Sequence, residues 1–402
     1  VAVAVGTGET PWFRRLAETR SIAIYGIALG ILAFWLALPP WDVRFQGGPI
    51  ALGIAGTLCG LWAVVRDESK LGWWAISVAI AGTAAALWAQ TKSTDSLNAV
   101  VNAGLFAATL RWATPLAFAA MGGIFSERSG VVNIALEGMM LSGAFFGIWA
   151  AAWSGSWIVG ILMAMVFGGL LALIHAFFSI HLRADQIVSG TAINFLALGL
   201  TGYLFRYIYG TEGTPSDVAR IPEVSVPGLD KIPFFGDVIG TMNLMIWLML
   251  LLLVLTWIVL FKTPVGLRIR SVGEHPRAAD TVGISVFGIR YACVVLSGML
   301  AALGGAYLSI GFVGSFNENM TVGRGFIALA AVIFGKWRPF PAFAACLLFG
   351  FSSGLAQRLQ SEADISANLL QTLPYVLTII ALVGVVGRSR GPAAVGRPYV
   401  KQ

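Results

Sequence analysis

Charge is scarce in this chain. Asp, Glu, Lys and Arg make up 11% of its 402 residues against 57% hydrophobic residues, a balance that no soluble domain hides inside one core. A soluble globular protein is thereby excluded, and a polytopic membrane protein is expected. Cysteine is scarcer still: Cys59, Cys293 and Cys346 each sit in an apolar run with no neighbouring partner, so neither a disulfide framework nor a zinc pattern is written. The phosphate-loop pattern G-x-x-x-x-G-K-[ST] is missing, as are H-E-x-x-H, G-x-S-x-G and Cys-x-x-Cys. Gly335-Lys336 ends like a phosphate loop, but Trp337 stands where Ser or Thr would reach magnesium. His175, His181 and His275 are scattered, and a lone membrane histidine is more often hydrogen-bonded packing than a ligand. No metal, cofactor or catalytic residue is expected, and any energy source must lie in another protein.

What the chain has in abundance is long apolar runs. They lie near 21–38, 49–65, 71–90, 97–125, 134–152, 157–180, 187–208, 242–261, 291–311, 340–358 and 369–387, each close to the roughly 20 residues that span a hydrocarbon core. A twelfth, 325–335, covers only about 16 Å as a helix and reads as a broken or re-entrant segment. The expected fold is an all-α polytopic membrane protein of ten or eleven transmembrane helices. Its parts are peripheral spans over 1–96, a core over 97–387 and a tail over 388–402. The first span is read as uncleaved, since no small-residue cleavage pattern follows it.

A net charge of +7 sets orientation here rather than binding nucleic acid. With the N-terminus inside, only Arg44, Lys92, Arg111, Arg206, Arg220, Lys231, Arg324 and Arg358 of the 26 cations fall outside the inner face. Both termini are expected in the cytoplasm, provided that 325–335 crosses together with its flanks. The loop over 209–241, with Pro215, Pro222, Pro227 and Pro233 and an acidic excess, is then external. It reads equally as a seat for a soluble delivery protein and as a proline-stiffened connector.

The most informative internal excursion is 262–290, hydrophilic and basic, which follows directly on the run 242–261. Pro276 supplies the fixed φ of a first helical position, Arg277, Ala278, Ala279 and Asp280 continue it, and Gly283 can take the left-handed stop. A helix of roughly two turns, docking a soluble partner, is expected.

Three polar clusters interrupt the apolar runs. In Ser126-Glu127-Arg128-Ser129-Gly130-Val131-Val132-Asn133-Ile134-Ala135-Leu136-Glu137-Gly138, Asn133 and Glu137 stand four apart and are expected to share a helix face. A carboxylate at that depth costs about 2.5–3.5 kcal/mol on insertion scales. It therefore lines a watery path or holds a broken helix in shape. Around Gln186, Ser189, Gly190 and Asn194 the polar positions recur at helical spacing. They form one hydrogen-bonding wall, suited to a polar solute and equally to joining helices. The third cluster, Asn317 to Gly325, reads as a gate at the outer mouth or as an ordinary polar loop.

Taken together, Glu127-Arg128-Ser129-Gly130-Val131-Val132-Asn133-Ile134-Ala135-Leu136-Glu137-Gly138-Met139-Met140 and Gly273-Glu274-His275-Pro276-Arg277-Ala278-Ala279 through Gly283-Ile284 resemble the permease subunits of bacterial ATP-binding-cassette importers of the ribose, nucleoside and branched-chain amino acid group. The resemblance covers roughly 97–401. The first segment and the ending Pro392-Ala393-Ala394 through Arg397-Pro398-Tyr399 are similar to the nucleoside branch, which is associated with basic-membrane-protein lipoproteins. Sugar permeases of the group usually carry an Asp-Leu-Ser-type segment where this chain has Asn133 to Glu137. His275 departs from the Asn expected before Pro276.

The resemblance implies a type II importer-like permease of the bacterial inner membrane that works by alternating access. Its implied partners are an ATPase subunit, a second homologous permease and an extracytoplasmic solute-binding lipoprotein that delivers a nucleoside. It places Gly273, Glu274, Pro276, Arg277, Ala278, Ala279, Gly283 and Ile284 in the ATPase-coupling region. Asn133, Glu137, Gln186, Ser189 and Asn194 are the candidates for the solute pathway. A simple sugar or branched-chain amino acid as solute, an ion-coupled secondary transporter, and a membrane scaffold without transport stand as alternatives.

Overall fold

The computed structural model describes residues 19–37, 47–66, 69–91, 102–226, 228, 236–362, 372 and 390–401. The apolar run at 369–387 and most of the proline-rich stretch over 227–235 lie outside them. The chain divides into two compact units, Val1–Gly104 and Leu105–Gln402.

In the first unit, α1 (Thr19–Ala37), α2 (Gly47–Val65) and α3 (Ser69–Thr91) each pack against the other two. Small residues make the contacts. A Cβ on Gly30 would stand 2.7 Å from the Ala79 amide nitrogen, so backbone meets backbone, as is usual between membrane helices. Ile54, Leu58 and Trp73 point outward, each more than half exposed, on surfaces suited to lipid.

The second unit runs through α4 (Ala103–Arg128), α5 (Leu136–Ser154), α6 (Trp157–Ala176, prolonged by a π-helical turn over Phe177–His181) and α7 (Gln186–Tyr209). A small antiparallel ribbon of β1 (Glu223–Ser225) and β2 (Thr241–Asn243) follows, with Glu223 opposite Asn243. Next come α8 (Leu244–Lys262), α9 (Pro264–Glu274), α10 (Pro276–Thr281) and α11 (Val286–Ala306, prolonged by Tyr307–Val313), then α12 (Arg324–Phe334) and α13 (Pro339–Glu362). Helices α5, α6 and α11 pack mutually, α7 lies on α5, and α12 sits against α5 and α13.

The packing explains the composition. α5 is apolar all round because it is buried nearly throughout. The most apolar stretch of α11 is 83% buried and that of α7 only 22%, so α11 is central while α7 turns Val188, Phe195 and Tyr203 outward. Where α6 crosses α11, a Cβ on Gly298 would stand 2.5 Å from the Gly168 carbonyl oxygen; only glycine allows that approach.

Among the described residues seven helices, α2, α3, α6, α7, α8, α11 and α13, are long and apolar enough to cross a membrane. The chain is a multi-pass, mainly helical membrane protein. The short run near 325–335 is α12, with 11 residues covering about 16 Å, half of the ~30 Å hydrocarbon core.

Candidate functional site

Between α4 and α5 the backbone leaves the helix for seven residues, 129–135. Asn133 therefore does not share a helix face with Glu137: α5 starts at Leu136, and Gly130, at φ +97°, turns the chain before it. Ser129, Val131, Asn133 and Ala135 are fully buried. Non-helical backbone at such a place survives only if protein groups replace the water that its amides and carbonyls lack.

Those groups are the polar residues singled out in the sequence. Gln186 Oε1 accepts from the Val132 amide at 2.7 Å. Asn194 accepts from the Gly138 amide at 2.8 Å and donates to the Ile134 carbonyl at 3.0 Å. Ser189 hydrogen-bonds His175 Nδ1 at 3.1 Å, and His175 Nε2 stands 3.0 Å from the Val132 carbonyl. Asn133 Nδ2 donates to Ser297 Oγ at 2.9 Å, and Ser126 Oγ donates to the Val131 carbonyl at 2.7 Å. The α7 wall thus meets the interrupted turn face to face. His175 and Ser297 complete the network, and no local spacing in the sequence marks them as its members. Asn133 Oδ1 and Gln186 Nε2 keep no hydrogen-bond partner among the described residues.

Glu137 turns to a different element. Its Oε1 accepts from Thr321 Oγ1 at 2.6 Å and from the Gly323 amide at 2.8 Å, and its Oε2 accepts from the Gly325 amide at 2.6 Å. These donors stand at the N-terminus of α12, where amides lack helical acceptors and the helix dipole favours an anion. Gly325 permits the contact, since a Cβ there would lie 2.4 Å from the Glu137 nitrogen.

The other end of α12 is tied as well. Lys336 and Trp337 follow it at φ +52° and +54°, a conformation costly for such side chains. Arg128 Nε donates to the Trp337 carbonyl at 3.1 Å, and the Trp337 indole donates to Glu127. Both ends of α12 are therefore held by the two borders of the same interrupted turn. The third polar cluster divides: Thr321 and Gly323 join Glu137, whereas Glu318 forms a two-point ion pair with Arg206 at 2.7 Å. That bond holds the Glu318 carboxyl below the ordinary carboxylate range.

The basic excursion holds two helices. α10 matches the expected two-turn helix, with Pro276 at its first position and Gly283 beyond its end at φ +82°. α9 is additional: Thr263 caps it by accepting from the Gly266 amide at 3.3 Å, and Pro264 opens it. Ile269, Val272 and Gly273 are buried, and α9 packs on α8 and α11. The Thr-Pro start and the i, i+3 apolar pair are the signals that would have found it. Glu274, His275, Arg277 and Ala278 are exposed, whereas Ala279 is buried and Ile284 partly so.

The residues 390–401 lie across this pair of helices. The Ala394 amide donates to the Gly273 carbonyl at 2.9 Å, and the Gly396 amide reaches the Gly130 carbonyl at 3.3 Å. The Ala393 amide donates to Glu274 Oε2 at 3.1 Å, and Tyr399 Oη donates to Asp280 Oδ2 at 2.8 Å. Between α10 and this tail runs a cleft of about 510 Å³, lined by His275, Arg277, Arg397 and Tyr399 among others.

Comparison with known proteins supplies the family. A family model described as branched-chain amino acid transport system, permease component, matches residues 105–382. The guanosine ABC transporter permease protein NupQ of Bacillus subtilis is 46% identical over 309 residues, 73% of this chain and 95% of its own. The nucleoside ABC transporter permease protein NupC of Lactococcus lactis is 42% identical over 303 residues, again 73% and 95%. The putative glucose ABC transporter permease protein TsgC13 of Haloferax volcanii is 33% identical over 328 residues, 75% and 98%. No solved structure matches. On the family match and these identities, the chain belongs to the permease family of the branched-chain amino acid transport systems.

Proposed function

We propose that this chain is the membrane-spanning permease subunit of an ATP-driven importer of the inner membrane, and that its solute is a nucleoside. The solute follows the two relatives named for guanosine and nucleoside, each more than 40% identical along most of its length. α10 supports the rest most directly. It is a short helix that presents Arg277 and Ala278 to solvent while its base is bonded into the transmembrane unit. A chain without a nucleotide-binding motif needs such a handle for a separate ATPase to move it.

In this reading both termini and α10 face the cytoplasm, and a second homologous permease completes the pathway. A binding lipoprotein delivers the solute, and transport proceeds by alternating access. Asn133 and Gln186 offer the solute their unused polar atoms, while Asn194 and, through His175, Ser189 hold the turn beside them and Glu137 holds the start of α12. Gly273, Glu274, Pro276 to Ala279, Gly283 and Ile284 shape the ATPase contact, and the spans before about residue 97 stay peripheral to transport.

The test is the reconstituted complex with its ATPase, second permease and binding protein. Guanosine, presented on the binding protein, should stimulate ATP hydrolysis and enter proteoliposomes. Deleting 277–280 should abolish stimulation while the permease stays inserted. Undiminished stimulation after the deletion refutes the coupling role, and uptake by the lone chain under a proton or sodium gradient decides for a secondary transporter.

A further inference from the structure

The tail over 390–401 touches both regions that the proposed function makes important. Through Ala394 it is bonded to Gly273 at the end of α9, and through Gly396 to Gly130 in the interrupted turn. Through Tyr399 it is bonded to Asp280 on α10. Arg290 adds a fourth support. It is 1% exposed, donates from Nη1 to the Arg397 carbonyl at 3.1 Å, and stands where a Cβ on Gly130 would meet its Nη2 at 2.8 Å. Tyr399 is itself buried, its ring 5.5 Å from that of Phe287 on α11. Its ring joins a small apolar cluster with Val272, Ala279 and Val286, which takes one residue each from α9, α10 and α11. The tail is thus fastened at several points along its length and built into the packing.

We propose that this C-terminal segment is a coupling strap, with Tyr399 as its principal positioning residue. It ties α10 to the turn at Gly130, so that a displacement of α10 by the ATPase reaches the turn that carries Asn133 and leads into Glu137 on α5. Packing links α10 to the membrane through α9 and α11, and the strap adds a hydrogen-bonded connection from α10 to the turn itself. The proposal rests on the permease reading above and adds to it a part that lies outside the coupling helix.

The experiment uses the complete complex in proteoliposomes with three altered chains: one ending at Gly391, Tyr399→Ala and Tyr399→Phe. Each is assayed for insertion, for basal ATP hydrolysis, and for hydrolysis and uptake stimulated by guanosine on the binding protein. Loss of the strap should leave basal hydrolysis within about twofold and cut stimulated uptake roughly tenfold, the upper part of the range for residues that carry coupling without touching a ligand. Tyr399→Phe keeps the ring and should restore most of what Tyr399→Ala loses. A synthetic peptide of residues 390–402 should return stimulation to the shortened chain. Full stimulation in both the shortened chain and Tyr399→Ala overturns the strap. Should the shortened chain fail to insert, Tyr399→Ala carries the test alone, and normal stimulated uptake there overturns it. Absence of guanosine stimulation in the unaltered complex overturns the nucleoside-importer reading instead, so the two failures are distinct.

Discussion

At the scale of single residues, the polar side chains inside this permease first answer to backbone. In lipid an unpaired amide or carbonyl costs several kcal/mol, and the seven residues of the interrupted turn expose many at once. Asn194 serves one of them, the Ile134 carbonyl, and also the Gly138 amide in the first turn of α5. Replacing Asn194 with Leu should destabilise the purified protein by about 2–4 kcal/mol, read as a lowered thermal midpoint in detergent; an unchanged midpoint would show that the turn finds other partners. Glu137→Ala strands three donors at the start of α12 and should cost about 3 kcal/mol or more, whereas Glu137→Gln keeps an acceptor and should lose less. Equal midpoints for the two variants would remove Glu137 from its place as the cap of α12. Uptake should fall with both, more steeply with Ala.

Sequence reasoning identified these residues and left two roles open for them, lining a path or holding helices together, but it did not identify their bonding partners. Gln186, Asn194 and Glu137 stood out because polarity is rare in apolar runs, and that signal is local. Their partners lie 54 to 188 positions away in sequence, where no spacing rule reaches. The assumed helix through Asn133 failed for the same reason: the acceptors and donors that favour an extended path come from α6, α7 and α11.

Elements obey more local rules, and they were correspondingly easier to read. Pro276 and Gly283 delimit α10 through their own φ preferences, so a chain of six residues was legible. Gly283→Ala should force a Cβ into the left-handed region at a cost of about 1–2 kcal/mol. Faster amide exchange over 276–284 would reveal it, and an unaltered exchange pattern would mean that the helix end re-forms elsewhere. α9 escaped notice because its basic face made the stretch look like a loop, although Ile269 and Val272 mark a buried side. α12 is the converse case. Its length fitted no span, and that mismatch was already visible in the sequence, but only the clamps at Glu137 and Trp337 explain how so short a helix is held.

For the whole molecule, the division into Val1–Gly104 and Leu105–Gln402 agrees with where the family match begins, at residue 105. NupQ and NupC are each covered over 95% of their length by a match to only 73% of this chain. The three helices α1 to α3 therefore lie outside the family match. A chain starting at residue 97 should still insert, join its partners and retain at least about half of nucleoside uptake, since additivity holds between independent units. Loss of uptake with assembly intact would give the first unit a part in transport. A division near residue 97 was expected from the sequence, because the runs before it hold few intramembrane polar groups; how the three helices of the first unit join was not legible, because it depends on which small residues meet.

The interrupted turn has a mechanical consequence. Its backbone is bonded to α6 through His175, to α7 through Gln186 and Asn194, and Asn133 within it to α11 through Ser297. Sliding any of these helices past another would break bonds that the bilayer cannot replace with water. They behave as one welded chassis, and any joint that opens and closes the permease must lie outside it.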